Sequence, residues 1–108
     1  DWDRRANKRT PSTWYGWEKF YDRDPRHYGW IVEVNPKTGE AKKLIAPGRF
    51  AREAATIRKA RDGRCVVYSG DDTNDQFIYK FIASEKGSLE KGTLYVADTI
   101  KGRWIPLV

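Results

Sequence analysis

Cysteine, histidine and methionine are nearly missing from this sequence: 108 residues hold one cysteine, one histidine and no methionine. The single cysteine, Cys65, excludes an internal disulfide and any all-cysteine metal site within the chain. Its place between Arg64 and Val66, in a strand-like run, reads as a small buried side chain. With one histidine there is no His-Glu-x-x-His pair, and a P-loop, a Gly-x-Ser-x-Gly elbow and paired CxxC motifs are also missing. A Ser-His-Asp mechanism would need His27 beside Ser12, Ser69, Ser84 or Ser88, and no spacing supports it. His27 reads instead as a turn residue near Asp24 and Pro25. No apolar run approaches the roughly 18 residues of a membrane helix, so no membrane span is expected. The chain opens charged, as DWDRRANKR, where a signal peptide would turn apolar. A start without Met and an abrupt apolar end, IPLV, read as a piece cut from a longer protein.

What the sequence does hold is aromatic and charged. Hydrophobic residues at 39% and aromatics at 14% exclude a disordered chain, and the length allows one modest core rather than two domains. The net charge of +6 raises the question of nucleic acid. Its distribution argues against that partner. Residues 1–27 carry seven cations against five carboxylates, residues 28–63 eight against four, and residues 64–108 six against six. The excess, in Lys42, Lys43, Arg58, Lys59 and Arg61, is spread over turns and strand faces and reads as solvated surface.

Residues 1–27 lack periodicity and read as an irregular aromatic and charged lead-in, with TWYGWEKFY packing on something else. From Tyr28 the pattern changes to period two, with Trp30, Val32 and Val34 on one face and Ile31 and Glu33 on the other. NPKTGE supplies a turn and AKKLIA the return strand, so Tyr28 to Ala46 predicts a hairpin. AREAATIRKA is rich in helix formers. The tight-turn signal Arg61-Asp62-Gly63, followed at once by RCVVYS, favours a loop through Glu53 and a strand over Ala54 to Ala60. GDDTND is a polar loop and QFIYKFIAS a strand, with Phe77, Tyr79 and Phe81 on one side and Ile78, Lys80 and Ile82 on the other. TLYVADT and RWIPLV form a last hairpin through Lys101-Gly102. About seven short strands without intervening helices predict an all-β, antiparallel architecture built of hairpins. Propeller, barrel and sandwich all fit, and the count amounts to about two propeller blades. Such an incomplete propeller would leave strand edges for remaining blades or other chains to cover.

The chemistry-bearing side chains cluster between Gly48 and Asp75. Glu53, Asp71, Asp72 and Asp75, with Glu18 upstream, are oxygen donors suited to a hard cation, and equally to turn capping or salt bridges. Arg49 and Arg52 flank Phe50 and could clamp a phosphate bidentately or pair with those carboxylates. No residue stands out as catalytic.

The order YGWIVEVNP, GRFAREAAT, DGRCVVYSGDD, QFIYKFIAS and GTLYVAD resembles the central part of the PhoX-type alkaline phosphatases, over residues 28–108. The resemblance implies a β-propeller fold, export to the periplasm or the outside of a bacterial cell, and hydrolysis of phosphate monoesters at a cluster of calcium and iron ions. It implies that Glu53 in GRFAREAAT, and Asp71 or Asp72 in the GDD run, belong to or border that cluster. One departure is visible. Where the enzymes carry a Cys-Glu-Glu run this chain reads GWEKF, so Trp17 stands at the place of the cysteine, while Glu18 keeps one acidic position. Three functions follow in order of preference: a fragment of a metal-dependent phosphatase, inactive as this chain alone; a non-catalytic propeller module; and a small basic nucleic-acid-binding domain.

Overall fold

A computed structural model of the chain describes residues 27–107. Trp17 and Glu18, and with them most of the lead-in segment, lie outside the described residues. Seven strands follow one another: β1 (Ile31–Val34), β2 (Ala41–Leu44), β3 (Thr56–Lys59), β4 (Cys65–Gly70), β5 (Ile78–Ala83), β6 (Gly92–Asp98) and β7 (Arg103–Leu107). The described residues contain no α-helix, so the architecture is all-β. Every pairing is antiparallel, with β1 and β2 forming one hairpin and β3 to β7 a five-stranded meander in sequence order.

The first hairpin turns where the sequence concentrates turn formers. The Asn35 carboxamide oxygen accepts the Lys37 amide at 2.9 Å, Gly39 donates to the Asn35 carbonyl at 2.8 Å, and Gly39 takes a φ of 74°. A side chain at that φ would be strained, which is why glycine stands there. AREAATIRKA is a loop and then β3 despite its helix formers. Thr56 to Lys59 pair with Tyr68 back to Cys65, and a sheet ladder gives these backbone groups partners that an isolated helical turn could not keep.

The meander buries one face. Pairing aligns Val67 with Phe81 and Phe81 with Leu94, placing them side by side across three strands. Val67, Phe81 and Ala83 form the buried cluster, with Ile31, Ala46, Cys65, Leu89 and Leu94 packed around it. Cys65 is thus a half-buried free thiol serving as a small apolar side chain. In β1 Ile31 packs on the core and Glu33 follows it on the same face with its carboxylate in solvent, while Val32 and Val34 are 50% and 55% exposed. Phe77 also stays exposed, because it lies one residue before β5 begins.

A surface ion bridge links the two sheets. The Lys42 ammonium lies 2.7 Å from Glu90, ahead of β6, and 3.2 Å from Glu33 on the neighbouring strand. The hydrogen bond to Glu90 does most to raise the lysine's pKa, and the one to Glu33 adds to it. All three side chains are well exposed, so water and salt screen the network. Lys42→Ala is therefore expected to shift Tm by no more than about 4 °C. A larger loss in a thermal melt would show that the bridge fixes the hairpin to the meander.

Candidate functional site

The stretch from Pro47 to Glu53 folds back onto the start of the polar loop after β4. Arg52 and Asp71 form an isolated antiparallel bridge, and the Asp72 amide donates to the Ala51 carbonyl at 2.7 Å. Two segments nearly twenty residues apart in sequence thus meet main chain to main chain, and they carry Glu53, Asp71 and Asp72 to one corner of the molecule. The turn entering this corner rests on Gly48, whose φ is 82° and whose Cα faces Leu94 so closely that an added Cβ would meet Cδ2 at 2.7 Å. Phe50 and Ala51 are buried, and the Phe50 ring stacks on Tyr79 with centroids 4.4 Å apart.

Arg52 points inward. Its Nε donates to the Ser69 hydroxyl at 3.2 Å, Nη2 to the Pro47 carbonyl at 2.9 Å, and both Nη atoms to the Gly48 carbonyl at 3.4 Å. The guanidinium also lies 3.8 Å from the centroid of the Phe50 ring. Burial pushes its pKa down to about 10, partly offset by the nearby Asp71, so it remains charged at neutral pH. Burial, and after it the Asp71 charge, likewise hold the Tyr79 phenol above its ordinary value. Arg49 gives its Nε to the Tyr28 carbonyl at 2.7 Å. Both arginines therefore spend donors on main-chain carbonyls.

Asp71 is half-buried and caps the loop by accepting the Thr73 amide at 3.0 Å. Glu53 and Asp72, the next residue on each segment, are exposed, and neither side chain makes a hydrogen bond or ion pair among the described residues. Asp75 is exposed at the loop tip with a φ of 61°, a left-handed conformation that aspartate tolerates better than most residues. Glu18 falls outside the described residues. The basic residues Lys42 and Lys43 sit on β2 and Arg58 on β3, in different sheets. Lys43 donates to the His27 carbonyl and lies over Tyr28, and Lys80 lies 4.4 Å from the Trp104 ring centroid.

In kind, the corner's carboxylates suit a hard cation. In number they do not complete a site, since no three His, Cys, Asp or Glu side chains converge among the described residues and such ions take about six to eight oxygen ligands. The described residues alone therefore do not fit a whole metal cluster. Two features of the corner escape the sequence reading. Ser69 is a buried hydroxyl that receives Arg52, and Thr73 carries a buried hydroxyl without a partner among the described residues. Strand alternation could have flagged Ser69, which falls on the same face as Val67. Nothing local marks Thr73.

Taken together, the fold and this corner define an antiparallel β segment that presents carboxylates from two converging loops. A family model described as alkaline phosphatase PhoX matches residues 3–108, and the chain belongs to that family. The structure is similar to one of Pseudomonas fluorescens PhoX in complex with vanadate, a transition state analogue, with 40% sequence identity and a TM-score of 0.61. That likeness covers 65% of this chain and 14% of the other, so the chain spans a small part of that protein's length. No curated protein matches the sequence.

Proposed function

We propose that this chain is part of a metal-dependent phosphatase that hydrolyses phosphate monoesters, and that Glu53 and the Asp71-Asp72 pair supply carboxylates to its cation site. The observation that carries the reading is the 40% identity, over 65% of this chain, to a PhoX structure holding a transition-state analogue. The corner geometry supports it, because Glu53 and Asp72 lie exposed on two loops that the backbone pins together, one on each side of the Arg52–Asp71 bridge. Calcium and iron are the ions the resemblance implies. Their remaining ligands would come from outside residues 27–107, and cations so held would offset charge developing on a phosphoryl group.

The test is turnover of p-nitrophenyl phosphate by the full-length protein containing this segment, before and after chelation and with calcium and iron restored. Activity is expected to vanish on chelation and return with metal. Glu53→Gln and Asp72→Asn should each lower turnover or metal affinity by about 10–100-fold or more. The 108-residue chain by itself is expected to show background hydrolysis only. Full activity after exhaustive chelation would sink the proposal, as would wild-type turnover in both variants.

A further inference from the structure

We propose that Arg52 is a positioning residue for the carboxylate corner: it fastens the Pro47–Ala51 turn to β4 and so fixes the spacing of Glu53, Asp71 and Asp72, without contacting phosphate itself. The inference rests on reading that corner as part of a phosphatase site.

A bidentate phosphate clamp needs two parallel N–H groups on one edge of the guanidinium fork. In Arg52 each of the three nitrogens already faces an internal acceptor. Ser69 takes Nε, Gly48 takes Nη1, and Pro47 and Gly48 share Nη2. The Phe50 ring lies against the guanidinium. These acceptors come from two places in the chain: the turn before Arg52, and β4 two residues before Asp71. The guanidinium thus ties together the segments whose backbones meet at the Arg52–Asp71 bridge and at the Asp72-to-Ala51 hydrogen bond. A lysine carries its three N–H groups on one nitrogen, so it cannot span Ser69 on one side and the Pro47–Gly48 carbonyls on the other as a planar fork does.

The motif GRFAREAAT places two arginines around Phe50, and both would be equal candidates for anion binding on sequence alone. For Arg52 the hydrogen bonds decide otherwise. Its charge serves to hold main-chain carbonyls and to balance Asp71 in a half-buried setting, which leaves the exposed Glu53 and Asp72 oriented by a rigid base.

The experiment compares wild type with Arg52→Lys and Arg52→Ala in the full-length protein by two independent readouts. Amide hydrogen exchange at Asp72 reports the hydrogen bond to Ala51 directly and requires no turnover. It is expected to quicken about tenfold or more in both variants, while the amides of β5 keep their wild-type protection. Steady-state kinetics on p-nitrophenyl phosphate should show kcat falling about tenfold in Arg52→Lys with KM within about twofold, as for a group that aligns others rather than binding substrate. Unchanged Asp72 exchange in both variants would overturn the proposal. So would a tenfold rise in KM at constant kcat in Arg52→Lys, which would make Arg52 a direct phosphate ligand. If the protein proves not to hydrolyse phosphate esters, the exchange measurement still decides whether Arg52 holds the corner.

Discussion

Phe81→Ala is expected to destabilise the protein by about 3–5 kcal/mol, measured by urea denaturation. Phe81 is 2% exposed, the largest fully buried side chain of the described residues, and it lies between Val67 and Leu94 on the central strand of the meander. Its removal takes a ring out of the buried cluster of the meander and leaves a cavity that neighbours on three different strands, each held by its own ladder, cannot collapse to fill. The loss should fall on the meander as a whole, since β5 pairs on both sides. A loss below about 1 kcal/mol would mean that the cluster is not the stabilising core.

Gly92→Ala is expected to cost about 3 kcal/mol, the upper part of the range for overpacking, by the same measurement. A Cβ at Gly92 would stand 2.3 Å from the Ile82 carbonyl oxygen and 2.4 Å and 2.6 Å from two atoms of the Phe81 ring. The ring could turn aside only by leaving its packed position. The carbonyl belongs to the paired backbone of β5 and could retreat only by distorting the ladder between β5 and β6. The two substitutions should therefore couple. In the double variant the ring overlap disappears while the carbonyl overlap stays, so the combined loss should fall short of the sum of the single losses. Strict additivity would show that the ring does not press on Gly92.

The turns and strand runs were legible in the residues because they depend on neighbours in sequence. NPKTGE, Arg61-Asp62-Gly63 and Lys101-Gly102 carry their own turn chemistry, and the alternation in QFIYKFIAS puts Tyr79 and Phe81 on one side whatever packs there. The seven strands and their antiparallel hairpins follow from those signals, and the five ordered motifs sufficed to point to the PhoX family. Less legible was which face each strand would bury. The sequence grouped Trp30, Val32 and Val34 on one side of β1, yet Val32 and Val34 face solvent and Ile31 joins the core. Alternation fixes that two faces exist, and only the position of the meander decides which one is covered.

The stretch from Gly48 to Asp72 shows the same division. Its sequence determined the residue types on offer: two arginines around a phenylalanine, a glutamate, and an aspartate pair at the end of a strand. It also determined the backbone freedom at Gly48 that lets the turn form. The tertiary structure decided that Arg52 faces inward to Ser69, Pro47 and Gly48, that Asp71 caps its own loop, and that Glu53 and Asp72 remain exposed. The reason is physical. Charge and hydrogen-bonding capacity belong to a residue wherever it stands, but the partner it meets depends on which distant segment the backbone ladder brings beside it, and here that partner arrives across the bridge between Arg52 and Asp71.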